Sequence, residues 1–451
     1  MGARQLFPAS IVDDITYCTD RAHPHLSLNY AWIFTLEGEV SSEIARKALD
    51  GALNHYPKAR CILVNNYPSY KRWFRYRWEY TGTAAQDILE EVQFPGSHAG
   101  SEDAVNYYIN NHARFSIDLS SQIPLKVVLL RAQQRAFLFF IMHHAVGDGL
   151  GGFFFIQKFI QCYEDIYYGR PQGTPGKINA RVISSPEIRF RWSHLSPRYL
   201  GPYVRHLALM IKEPPLNLFP QQTARISGEF LATVRHLDSP QLEAIRSTAK
   251  KQGATINDYL LATMFRTIKK WSQGWITPSD RINITVPINL RSPEDRSLSN
   301  TLSGVTVSLK TTVISNTEQM LSLVRQELTA LVNSTMHRTL IHLSSLLKPL
   351  PIPLRTGILH YSSRGTASSI VISNMGVLSP NPAHQDEAGF NHLGPARISN
   401  LHGMPPVGAW PMLFICTYNK SMIFNLSFLD SYFPQEAGER FIDAYLAELT
   451  G

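Results

Sequence analysis

The residues best suited to chemistry in this sequence are His143 and His144, followed closely by Asp148 and Gly149. They sit in FLFFIMHHAVGDGLGGFFF (137–155), between an apolar run and a second apolar run with helical spacing. Imidazole titrates nearer neutral pH than any other side chain. At the mouth of a buried strand it can take a proton from an alcohol, amine or thiol that attacks an acyl carbon. The glycines that follow would keep the backbone clear for a substrate. No GxSxG elbow is present and no cysteine stands in a catalytic context. The base would then act on the acceptor directly, without a covalent acyl-enzyme. Adjacent residues leaving a strand point to opposite faces, so His143 and His144 do not readily share an ion, and no metal is expected. By itself Asp148 reads as the N-cap of a helix starting near Leu150; in the catalytic reading it holds the loop and relays no proton.

These residues need a strand before them and a helix after them. Residues 136–142 pair with 124–131 as a hairpin around a polar turn, and a helix runs from about Leu150 to Tyr168, with Phe153, Ile156, Ile160 and Tyr163 on one stripe. Earlier, 28–36 reads as a strand, Ser41 or Ser42 caps a helix ending at Asn54, and 61–64 is a strand. Residues 71–78, KRWFRYRW, alternate large aromatics with arginine, which predicts a strand with one wet face. A helix is expected over 103–113. Gly169 to about Gln222, rich in proline, arginine and aromatics, reads as a crossover with a helix near 199–212. The second half then alternates: strand 228–236, helix 241–251, a helix capped by Thr255 and running to Trp271, strands at 282–288 and 301–310, a helix over 317–333, a strand at 369–373, a hairpin over 411–429 and a last helix over 434–449. The expected division is 1–170, a crossover over 171–225, and 226–451.

A chain of 451 residues with 44% hydrophobic and 17% charged residues can bury two cores. Cys18, Cys61, Cys162 and Cys416 are scattered and read as reduced core thiols. No apolar run approaches the ~18 residues of a membrane span, and 340–359 is broken by Lys348, Arg355 and three prolines. No signal-peptide pattern opens the chain, so a soluble cytoplasmic protein is expected. The net charge of +8 favours anionic partners: nucleic acid, a phosphate-rich thioester carrier such as coenzyme A, or an acidic carrier protein. No RNA-binding motif accompanies the basic aromatic stretch, so nucleic acid is not expected.

The residues 143–149, HHAVGDG, resemble the HHxxxDG motif of the condensation-domain-like acyltransferase superfamily. Four fixed residues at that spacing arise by chance on the order of once in a thousand such chains. Other segments are similar in the same order: Leu36-Glu37-Gly38, His55-Tyr56-Pro57-Lys58-Ala59-Arg60, Thr255-Ile256-Asn257-Asp258, Val286-Pro287-Ile288-Asn289-Leu290-Arg291 and Ile372-Ser373-Asn374-Met375-Gly376. The plant-type DFGWG motif is absent. The likeness is nearest to the free-standing alcohol and polyketide-associated acyltransferases.

The resemblance implies an α/β fold of two chloramphenicol-acetyltransferase-like subdomains in a V, with a substrate tunnel between them. It implies His144 as the base, Asp148 in a structural ion pair with Arg291, His143 and Gly149 as motif support, and Asn374 and Gly376 near the tunnel floor as substrate contacts. It implies an acyl donor on coenzyme A or an acyl carrier protein, as substrate and not as cofactor, and a small-molecule acceptor, a hydroxyl ahead of an amine. The alternatives are an amide-forming stand-alone condensation enzyme and a non-catalytic member that binds a carrier protein or ligand.

Overall fold

The computed structural model describes residues 5–23, 28–65, 74–94, 117–132, 135–172, 178–185, 215–219, 228–277, 280–333, 344–362, 368–381, 389–406 and 410–451, with isolated positions between them. The expected helix over 103–113, the start of 71–78 and most of the expected helix near 199–212 lie outside the described residues.

In the first half, β1 (Leu6–Pro8) and α1 (Ile11–Ala22) precede β2 (Asn29–Glu37) and α2 (Ser42–His55). Strands β3 (Cys61–Val64), β4 (Arg77–Tyr80), β5 (Leu89–Gln93), β6 (Leu125–Arg131) and β7 (Arg135–His143) follow, then α3 (Gly149–Tyr167). In the second half come β8 (Phe230–Leu237), α4 (Ser239–Lys251), α5 (Ile256–Trp271), β9 (Arg281–Asn289), β10 (Leu302–Lys310), α6 (Thr317–Asn333) and α7 (Ile352–Ser362). Strands β11 (Ile370–Val377), β12 (His392–Leu393), β13 (Ala396–Met404), β14 (Met412–Tyr418) and β15 (Ser421–Leu429) lead to α8 (Gln435–Thr450).

Two six-stranded mixed sheets organise the chain. One runs β12-β13-β2-β7-β6-β5 and the other β10-β9-β11-β14-β15-β8, while β1, β4 and β3 make a small third sheet. The expected hairpin of 124–131 with 136–142 is β6 against β7, with Leu129 opposite Leu138. In the stretch 71–78 the described part departs from expectation: Phe74 to Tyr76 are irregular and the strand starts only at Arg77. Tyr76 is buried against Tyr17 of α1, so this segment is fixed by packing on a helix and not by a ladder. Residues 392–404 join the first sheet although they lie late in the chain. β13 pairs antiparallel with β2, Leu401 opposite Phe34.

Both faces of β2 and β7 are covered, which is why their sequences are continuously apolar. Leu36, Phe140 and Met142 pack under α2 and α3, while Ile33, Phe139 and Ile141 pack on the side of Tyr17 and Trp78. The second sheet carries its own core against α4, α5, α6 and α8, including Leu260, Phe265, Val324 and Phe441. The four cysteines are free and buried. Among the described residues no helix is long and apolar enough to cross a membrane.

Helix α1 carries two buried acids, and each has a distant cation. Lys58 Nζ lies 3.1 Å from Asp13 Oδ1, with side chains 1% and 0% exposed. Arg355 of α7 lies 2.7 Å from Asp14 and donates to the Phe74 carbonyl at 2.6 Å. Burial raises the Asp14 carboxyl above its ordinary value, against the pull of Arg355. Removing one partner of such a pair strands a charge, at a cost of about 3–5 kcal/mol. Arg355→Ala is therefore expected to lower the urea midpoint sharply. The double variant Asp14→Leu/Arg355→Met should recover much of the loss; equal midpoints for wild type and Arg355→Ala would refute the assignment.

Candidate active site

Strand β7 ends at His143, and the next few residues turn into α3. The two histidines diverge as strand geometry requires. His143 is buried, with Nδ1 accepting the Ala145 N–H at 3.0 Å and Nε2 3.5 Å from Asp20. An Nδ1 that accepts leaves the proton on Nε2, facing the Asp20 carboxylate. Asp20 also accepts the Leu28 N–H at 3.4 Å, and the Leu28 carbonyl accepts the His144 N–H at 2.8 Å. His143 thus braces the strand end and does not line the cavity that His144 enters.

His144 borders a cavity of about 320 Å³ between the two large sheets. Its walls come from β2 (Tyr30, Trp32), the start of α3 (Gly149), the ends of β9 and β10, β11 (Ser373, Asn374, Met375), the end of β13 and the start of β14. Burial holds the His144 imidazole below its ordinary value, opposed chiefly by the negative charge of Asp148. The ring of Tyr30 meets it edge-on, with centroids 5.6 Å apart.

Asp148 is fully engaged by protein. Its Oδ1 accepts the Gly151 N–H at 2.9 Å, capping α3. Its Oδ2 takes Arg291 Nη1 at 2.6 Å and the Thr301 N–H at 2.9 Å. Arg291 Nη2 donates to the Ser299 carbonyl. Both side chains of the pair are 2% exposed. The structure therefore brings together the two readings of Asp148, helix cap and ion-pair partner across the two halves of the chain.

The glycines divide differently from expectation. A Cβ on Gly152 would lie 2.4 Å from the Tyr30 hydroxyl, and one on Gly151 would press on Arg291 and the Ser299 carbonyl at 3.1 Å. These two let protein approach the helix closely. Gly149 alone of the three faces the cavity, with Met375 as its nearest contact at 3.9 Å. Asn374 lines the cavity, and its Oδ1 accepts the Gly376 N–H at 2.9 Å. Gly376 itself, at φ +70°, forms an irregularity at the end of β11 and does not line the cavity. It shapes the turn beside Asn374.

Several site residues escaped the sequence reading. Tyr30 donates to the Asp148 carbonyl at 3.1 Å, and Trp32 Nε1 to the Gly149 carbonyl at 3.2 Å. Asn300 Nδ2 donates to the His144 carbonyl at 2.7 Å. Phe414 packs edge-on against Trp32 at 5.4 Å. Among the described residues no group of His, Cys, Asp and Glu is arranged to hold a metal ion.

Residues 17–178, the segment that contains this histidine pair, match the Condensation domain family model. Solved structures align over the whole chain. The trichothecene 15-O-acetyltransferase of Fusarium sporotrichioides superposes with TM-score 0.74 at 11% identity, over 100% of this chain and 96% of that one. This is the condensation-domain acyltransferase fold. The starter condensation domain of rhizomide synthetase, solved as a double mutant with C8-CoA and Leu-SNAC, shares it with TM-score 0.68 at 12% identity, over 99% of this chain and 94% of that one. By sequence, the chain is 22% identical over 308 residues to a protein of Mycobacterium tuberculosis provisionally named as a diacylglycerol O-acyltransferase. That match spans 63% of this chain and 60% of the relative. Two of these proteins are named as O-acyltransferases, and the third is a condensation domain solved with an acyl-CoA.

Proposed function

We propose that the protein transfers an acyl group from a thioester, on coenzyme A or an acyl carrier protein, to a hydroxyl acceptor, with His144 as general base. The observation that carries this reading is the place of His144 at the edge of a cavity lined from both sheets, where burial lowers the imidazole below its ordinary value. His144 takes the acceptor hydroxyl proton as its oxygen bonds to the thioester carbon. The tetrahedral intermediate collapses, the carbon–sulfur bond breaks, and the imidazolium returns the proton to the departing thiolate. The Ser373 hydroxyl and Asn374 amide, both on the cavity wall, are the candidates to steady the oxyanion. The Asp148–Arg291 pair neutralises itself and holds the two halves around the cavity. Donor and acceptor held together supply a proximity gain of up to roughly 7–11 kcal/mol. The pantetheine-bearing thioester is substrate here, and the chemistry asks for no resident cofactor.

Thiol release from acetyl-, octanoyl- and palmitoyl-CoA, followed with a thiol-reactive dye against a panel of alcohols, tests this. Acceptor-dependent release with ester product supports it; no release with any pair refutes it. The pH profile adds a signed expectation. Because burial lowers the His144 value, the base stays deprotonated to more acidic pH than a free imidazole. The acid limb of kcat/KM should have its midpoint below the ordinary value of about 6.5, and rate should fall as pH drops through that midpoint. A limb centred above 6.5 would count against His144.

A further inference from the structure

The walls of the cavity beside His144 limit what can be brought to it. Apart from the imidazole itself, Asp148 and Arg291 are the charged side chains among the described residues that line it. They are spent on each other. Asp148 takes Arg291 and the Gly151 and Thr301 amides, and both side chains are 2% exposed. An ammonium group carried in on a substrate would lose its water and meet no free acid, a costly exchange for a charge. The rest of the lining is largely apolar and includes Trp32, Leu150, Met375, Met404, Met412 and Phe414. Three of these are methionines, whose flexible thioethers adapt to irregular shapes. One position governs the room available. Gly403 of β13 stands across the ladder from Trp32 of β2. The Phe414 ring rests on it, so that a Cβ at Gly403 would lie 2.5 Å from the ring. Trp32 holds the same ring edge-on, with centroids 5.4 Å apart. A side chain at position 403 would therefore press the ring towards the cavity that it lines.

We propose that this cavity takes an uncharged, apolar chain or ring carried by one of the two substrates, that it rejects an aminoacyl group, and that Gly403 and Phe414 set the length accepted. The cavity of about 320 Å³ has room for about ten non-hydrogen atoms, at the roughly 30 Å³ that a water-sized group occupies in a liquid. A sixteen-carbon chain does not fit inside it. Because every polar group of the Asp148–Arg291 pair that faces the site is already matched, affinity comes from apolar burial, and it grows with each carbon until the space is filled. The proposal rests on the reading of His144 as the base for where the reacting end lies, but its test does not depend on turnover.

The test is calorimetry on the full chain with S-alkyl thioethers of coenzyme A of two, six, ten and sixteen carbons, and with n-alcohols of two, six and ten. The thioethers cannot transfer their chain, so binding is read without reaction. Affinity should rise about fourfold per added carbon to about ten carbons and then level. It should do so in the thioether series if the donor carries the apolar group, and in the alcohol series if the acceptor does. An amino group on the second carbon of the ten-carbon ligand of that series should weaken binding about 10–100-fold. Gly403→Ala should shorten the chain at which affinity levels, and Met412→Ala, which opens space, should lengthen it; either decides alone if the other does not fold. Flat affinity in both series, a rise that continues to sixteen carbons in the wild type, equal binding of the amino-bearing ligand, or an unmoved length limit in a folded variant overturns the proposal. If the ligands bind as stated but the wild type releases no thiol with any alcohol, the apolar site stands and the acyl-transfer reading fails. If thiol is released while both series stay flat, the acyl-transfer reading stands and the apolar site fails.

Discussion

Replacing His144 with alanine is expected to lower acyl transfer by about two to four orders of magnitude, the range for losing a positioned general base, while the protein stays folded. The second half of that expectation follows from how the residue is held. Its N–H donates to the Leu28 carbonyl and its own carbonyl accepts from Asn300, and both bonds are made by backbone that alanine retains. The imidazole itself faces the cavity, so its loss enlarges a space that already exists. Thiol release and a thermal melt, measured on the same preparation, check both halves. Thiol release at the wild-type rate would sink the mechanism, and a collapsed melt would show that the ring has a structural duty as well.

The second large effect is expected at the Asp148–Arg291 pair. Arg291→Ala leaves a carboxylate that is 2% exposed with only the Gly151 and Thr301 amides as donors. Asp148→Asn keeps an oxygen for the helix cap but leaves the Arg291 guanidinium buried without a counter-ion, and its Nε already lacks a partner. Each change should cost about 3–5 kcal/mol of stability, and each should reduce activity, because the loop that carries His144 is tied to the second half through this pair. Urea midpoints beside rates separate the effects. If both variants unfold like wild type and only the rate changes, the pair is chemical and not a brace.

Much of this was legible because the signals were local. The apolar run before His143, the cap at Asp148 and the stripe on α3 each follow from a short window, and Thr255 caps α5 as its side chain and Asp258 require. What was not legible depended on partners far along the chain. Helix α1 places Asp13 and Asp14 inward, which reads as surface until Lys58 and Arg355 are known. Strand β13 contains Ser399, Asn400, His402 and Gly403 and lacks a clean alternation; its pairing with β2 makes it a strand. Asn300 sits in a polar loop with nothing in its neighbours to mark it, since its partner is a backbone carbonyl of the first half. From sequence the glycines after the motif read as clearing space for substrate, whereas Gly151 and Gly152 clear space for protein.

The late arrival of β13 in the first sheet bears on how this chain is made. During synthesis β2, β7, β6 and β5 leave the ribosome early, and β2 then forms an open edge with unpaired N–H and C=O groups over Asn29–Glu37. At roughly 5–20 residues per second, β13 follows some tens of seconds later. The first sheet therefore waits, incomplete and prone to pairing with other chains, for a strand encoded near the other end. Closing that long loop is also slow by topology. The same strand that lines the cavity with Gly403 and Met404 thus decides when the edge of β2 is closed.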